Sequence, residues 1–160
     1  MTDVDPLKAD CSACFGLCCS ALRLERADGF GHDKPAGVPC HFLQQDYRCK
    51  IHPRRQDLGY EGCIDFDCLG AGQIASKQFA AQNWKQDTAV ARQMFARFAE
   101  LMQIQELRAA LTDAGGLGLE SEPEAARLAL LHQLAIAAET GANVSSARAG
   151  AEEFIQSLRD

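Results

Sequence analysis

The chain has no long apolar run. Its longest nearly apolar stretch, LALLHQLAIAA at 128–138, is broken by His132 and Gln133 and falls short of the roughly 20 residues that cross a bilayer. The opening MTDVDPLKAD has neither a basic n-region nor an apolar core, so no secretory signal and no membrane are expected. Basic charge is scarce too: 16 Lys and Arg against 22 Asp and Glu leave a net charge of −6. Division at residue 76 leaves 8 basic and 11 acidic residues on each side, or −3 and −3. Neither half carries the basic patch of a nucleic-acid binder, and no nucleic-acid partner is expected. There is no internal repeat, no P-loop, no H-E-x-x-H and no Ser/His/Asp set in motif context. Cytoplasm is the expected compartment, and its reducing conditions argue against an array of structural disulfides.

What the chain does have is sulfur, all of it placed early. Eight cysteines, Cys11, Cys14, Cys18, Cys19, Cys40, Cys49, Cys63 and Cys68, fall between residues 11 and 68, and none follows. The same region is rich in turn formers; ADGFGHDKPAGVPC at 27–40 carries three glycines and two prolines and cannot be regular helix. Residues 10–72 therefore read as loops with a helical turn or two and a small hairpin. With no apolar periodicity, such a region needs cohesion from metal bonds or disulfides.

The remainder reads as helix. From an N-cap at Asp87, Val90, Met94, Phe98, Leu101, Ile104, Leu107 and Leu111 recur at three- or four-residue steps up to Gly115-Gly116. Ser121-Glu122-Pro123-Glu124 has the form of a capping box with Ser121 as N-cap. It opens a helix with an expected inner face of Leu128, Leu131, Leu134, Ala135 and Ala138, closed by Gly141. A last helix over 145–159 presents Ala149, Phe154, Ile155 and Leu158. Residues 73–86 fit a short helix or a loop. Met94, Phe95, Phe98 and Met102 form a stripe of the kind that lines a bundle core; a protein partner or self-association through the helices stays open.

The spacing of the sulfur narrows its chemistry. Cys11-x-x-Cys14 lets two thiolates reach one ion. Adjacent side chains diverge, so Cys18 and Cys19 need not serve the same metal. Eight thiols suffice for two four-thiolate sites. His32, His41 and His52 lie in the same region and could ligate, but eight cysteines make them unnecessary; His132 reads as structural. Cys68 ends IDFDC and could be a plain core thiol. Asp65 and Asp67 could orient ligands or face water, and Arg54 and Arg55 could offset thiolate charge or do the same. GAGQIA at 70–75 has the form G-x-G-x-x-A but follows no apolar strand, so it reads as a turn rather than a dinucleotide site. The spacing matches neither the two-cluster ferredoxin pattern nor a zinc ribbon. Without an iron-cluster template, zinc is placed ahead of an iron–sulfur cluster.

With these residues in view, the chain resembles the YkgJ-type cysteine-cluster family, proteins described as zinc- or iron-chelating. The family's C-x2-C-x2-C-C, separated cysteine, C-x-I-[Tyr/His]-x-x-R-P and C-x-x-F have counterparts in Cys11, Cys14, Cys18-Cys19, Cys40, CKIHPRR from Cys49 and CIDF from Cys63. Three differences stand out: three residues between Cys14 and Cys18, Gln56 in place of the proline, and an inserted DLGYEG before Cys63. The resemblance covers residues 11 to about 72 and implies metal binding, with flagellin lysine N-methylases in one branch; it leaves open whether the chain is an enzyme.

The expected architecture is mainly α, a loop-rich cysteine and metal-binding region over 1–76 packed on an antiparallel helical bundle over 77–160, the two sharing a core. The expected function is metal binding, zinc or iron–sulfur, through the eight cysteines, with the metal mainly structural. The alternatives are a metalloenzyme or redox protein with an exposed cluster, and a metal-free thiol redox sensor.

Overall fold

The structure is a computed structural model describing residues 5–159. Asp87 adopts extended backbone, and its carboxylate accepts from the amides of Ala89 and Val90, which starts the longest helix at the expected place. Among the described residues six α-helices follow one another: α1 Leu17–Ala21, α2 Glu61–Asp65, α3 Ala71–Gln78, α4 Thr88–Ala114, α5 Ser121–Thr140 and α6 Val144–Ser157. There is no β-strand among the described residues, so the mainly α class holds.

Helix α4 is the spine, and α1, α3, α5 and α6 all pack on it. Its buried face is Met94, Phe98, Leu101, Ile104 and Leu111, with Val90 and Leu107 half-buried against the same core. Met94 and Phe98 are fully enclosed, while Phe95 and Met102 pack at the edge of the core. That stripe is therefore bundle interior. The open question at residues 73–86 resolves into α3 followed by turns, with Trp84 buried.

Three sequence expectations change. Ser121 is the first residue of α5, and Glu120, in extended backbone, takes the N-cap position without a side-chain capping bond. Leu128 is 52% exposed, because α5 turns Arg127, Leu134, Ala137 and Ala138 inward; Leu128 lies about 100° round the helix from Arg127. In α6 the buried line is Val144, Ala147 and Ala151, which leaves Ala149 on the exposed side. The apolar residues of both helices fit more than one face on paper. Contact with α4 selects one.

The cysteine-bearing segment has no hairpin strand. Its regular pieces are short α1 and α2, 3-10 turns at Cys11–Ala13, Arg26–Asp28 and His52–Arg54, and two isolated antiparallel bridges, Leu24 with Lys34 and Leu43 with Cys49. Leu17, Ala71, Ala75 and Trp84 enter the same buried cluster as the bundle residues. Polar ties add register: Gln105, fully buried on α4, donates to the carbonyls of Pro6 (2.8 Å) and Leu69 (2.6 Å), and Trp84 Nε1 donates to Phe15 O at 3.2 Å.

Candidate metal centre

Each cysteine is placed by local backbone chemistry. Asp10 accepts from Ser12 N at 2.9 Å and holds the turn that begins at Cys11. Ser76 on α3 accepts from Phe15 N (2.9 Å) and donates to Gly72 O (2.7 Å), which pins the chain just past Cys14. Helix α1 carries Cys18 and Cys19, and its Cys19 carbonyl accepts from Cys40 N at 2.7 Å. The bridge between Leu43 and Cys49 sets the next sulfur, and α2 carries Cys63. Asp67 accepts from Leu69 N at 2.8 Å, and Cys68 O accepts from Ala71 N at 2.9 Å, leading into α3. Asp67 thus shapes a turn, and Asp65 is exposed.

Gly70 caps α3 with φ 86°, a left-handed conformation suited to glycine. GAGQIA, read from the sequence as a turn, is helical from Ala71 onward, and only Gly70 lies in the turn that precedes α3. Gly72 has a different task. A Cβ there would stand 2.8 Å from Cys14 Sγ and 3.6 Å from Cys68 Sγ, so the bare Cα leaves room for the Cys14 thiol against α3.

All eight cysteines line one cavity of about 470 Å³. Apolar side chains, among them Leu22, Leu24, Phe42 and Phe66, make up much of the remaining wall, joined by His52 and Arg55. Every one of the eight thiols is unpaired; Cys11 is exposed and Cys40 is buried. Cys18 and Cys19 do not diverge as neighbours on a chain ordinarily would: their sulfurs are 3.9 Å apart. Cys68 belongs to the cavity wall while also touching the core.

Burial pushes the thiols of Cys11, Cys14, Cys49 and Cys63 up, Cys63 to about 11. Cys18 is pulled down to about 7 because Cys19 hydrogen-bonds to its thiolate, and the same pairing pushes Cys19 up. Arg55 is held by its own hydrogen bonds to His52 O (2.9 Å) and Cys63 O (3.0 Å), and its charge favours the thiolates of Cys11, Cys18, Cys49 and Cys63. Lys34 is only 4% exposed. Its ammonium donates to the carbonyls of Ser20 (3.4 Å) and Pro35 (3.0 Å) and lies in the field of Cys40, Cys19 and Cys18. A dense set of soft sulfur donors with cations around it is a donor set suited to a thiophilic metal, zinc or iron.

His32 and His41 join Cys40 in a trio whose ligand atoms all lie within 4.8 Å of one another. His132 is exposed on α5. Sequence reading misses Gly72, Lys34 and Tyr60. A glycine at the start of a helix carries no visible signal, and a lysine or tyrosine in a loop reads as surface until its burial is known.

No family model matches the chain, and no solved structure matches it. It is 40% identical over 102 residues to the uncharacterized protein YybG of Bacillus subtilis (strain 168). The aligned part is 63% of this chain and 37% of that protein, so the chain spans little more than a third of this relative's length.

Proposed function

We propose that this is a metal-binding cysteine-cluster protein whose cavity holds a thiolate-ligated centre of more than one metal ion, with a mainly structural role. The observation that carries this reading is the convergence of all eight cysteines on one cavity. Four thiolates close the shell of one zinc ion or of one iron–sulfur cluster, and eight provide for more. Zinc comes first: four thiolates about 2.3 Å from zinc lie about 3.8 Å from one another, close to the 3.9 Å between Cys18 and Cys19. The structural role is supported by the surrounding loops. Between residues 22 and 69 the buried side chains are Leu24, Lys34, Cys40, Ile51 and Tyr60, too few for a core. A metal would supply the missing cohesion. The motif order that resembles the YkgJ-type cysteine-cluster family supports the same class of function.

A second reading, an iron–sulfur protein in redox or enzymatic service, is favoured by the cavity volume and by exposed Cys11 at its rim. Elemental analysis of protein purified without oxygen, with a visible spectrum, a sulfide assay and a count of protected thiols, separates the two. Colourless protein with zinc and about four thiols protected per ion is the expected result. Brown protein with iron and acid-labile sulfide selects the second reading. Metal-free protein with eight reactive or reversibly paired thiols overturns both in favour of a thiol sensor.

A further inference from the structure

Cys40 lies on a boundary. Its side chain lines the sulfur cavity, yet its sulfur also lies within 4.8 Å of imidazole nitrogens of His32 and His41, neither of which lines that cavity. We infer that His32, Cys40 and His41 form a separate mononuclear metal site for Zn(II), with a fourth coordination position open to solvent and with Tyr60 as the residue that positions His32. This goes beyond the thiolate centre, to which it leaves the other seven cysteines, and stands without it.

The donor set is the first argument. One thiolate and two imidazoles form a borderline-soft set that suits zinc, and three protein ligands with a free fourth position is the pattern of open zinc sites. Bonds of about 2.0–2.3 Å in a tetrahedron put ligand atoms about 3.3–3.8 Å apart. The trio, within 4.8 Å already, closes by side-chain adjustments of about 1 Å.

The residues around the trio are arranged to hold it. Tyr60 is 6% exposed, and its hydroxyl lies 2.8 Å from His32 Nδ1. With zinc on Nε2, Nδ1 carries the proton and donates it to the Tyr60 oxygen, the usual way an outer partner fixes a ligand's tautomer and ring plane. Gly31 makes room for this contact: a Cβ there would fall 2.4–3.0 Å from atoms of the Tyr60 ring. The His41 ring packs, tilted, against His32 (4.3 Å between centroids, 55°) and Phe42 (4.1 Å, 48°). Asp33, the nearest carboxylate in sequence, is engaged with Arg26 N at 2.7 Å and is not the fourth ligand.

Exposure sets the direction of the open position. Cys40 is buried, His32 half-buried and His41 exposed, so the sulfur anchors the ion from inside and the imidazoles hold it at the surface. The fourth position then takes water or an oxygen of a small anionic ligand.

The test uses the full chain, stripped under reducing conditions and reloaded with Zn(II) or Co(II). H32A/H41A is expected to bind one ion fewer per chain than the parent and to lose the Co(II) ligand-field bands of a site with one thiolate and two imidazoles. H41A alone alters an exposed side chain and serves if the double variant does not fold. Y60F is expected to weaken that one ion about 10- to 100-fold in competition with a chromophoric chelator, while far-UV circular dichroism stays unchanged. Parental stoichiometry and affinity in both H41A and Y60F overturn the inference. C14S separates the two readings, because it removes a cavity thiol and leaves the trio intact. Metal lost in C14S but not in H41A sinks this site alone; metal lost in H41A but not in C14S sinks the thiolate centre alone.

Discussion

At the scale of single residues, the sulfur cavity depends on a side chain that is missing. Gly72 lies within α3, where alanine is more favourable than glycine by about 1 kcal/mol, so G72A should not harm the helix itself. Its methyl would instead meet Cys14 Sγ at 2.8 Å. We expect G72A to weaken metal retention about tenfold or more, a size typical of outer-shell changes, with helical circular dichroism preserved. Unchanged metal content would show that the room Gly72 leaves beside Cys14 does not matter to the centre. Gly72 illustrates why residue-scale chemistry is only partly legible. The cysteines can be named as donors from spacing alone. The close approach they require comes from a helix that packs on them, and spacing says nothing about it.

At the scale of elements, two polar devices bind the helices into one arrangement. Gln105 ties α4 to the segments before Cys11 and before α3 through the carbonyls of Pro6 and Leu69, and its own oxygen accepts from Arg108 at 2.7 Å. Q105L leaves these buried groups without partners, at a cost of about 1–3 kcal/mol; thermal unfolding should register a fall of several degrees. The second device joins α4 to α5. Arg127 holds Glu124 at 2.8 and 2.6 Å and donates to Leu111 O at 2.9 Å. The hydrogen bonds from Arg127 keep the Glu124 carboxyl below its ordinary range. The stability from this pair is complete above the unfolded carboxyl's pKa and is lost as pH falls through the lowered folded value. The Tm difference between the parent and E124Q should therefore be present at neutral pH and vanish in acid; a pH-independent difference would contradict the pairing. The course of α4 is legible because a 3.6-residue stripe and an Asp cap are local signals. The inward faces of α5 and α6 are not, as Leu128 and Ala149 show, because alanine-rich helices offer several apolar faces.

At the scale of the molecule, a helical bundle with its own core carries a segment that has little core of its own. Chelation under reducing conditions should therefore act unevenly. Amide exchange is expected to accelerate across residues 11–68 while the core of α4, α5 and α6 keeps its protection. Uniform protection after the metal is removed would rule out a structural role. Acid should act in the same direction. Burial raises Cys11, Cys14, Cys49 and Cys63, so an ion must displace protons to bind, and affinity rises with pH. Metal retention should fall as pH drops, with more than one proton taken up per ion released; a flat profile would exclude thiolate ligation. Among the described residues, no helix is long and apolar enough to cross a membrane.

Donor chemistry, the division between a turn-rich cysteine segment and a helical remainder, and the course of α4 are all written in the order of the residues. Composition, turn residues and periodicity are local properties, readable without knowing what packs where. Packing alone settles that eight thiols face one cavity, that His32 and His41 meet Cys40 beside Tyr60, and that Lys34 is buried among carbonyls. Those outcomes depend on how the loops fold in space, bringing His32 to Tyr60, Lys34 to the carbonyl of Ser20 and Phe15 to Ser76 on α3, and spacing along the chain does not specify such contacts.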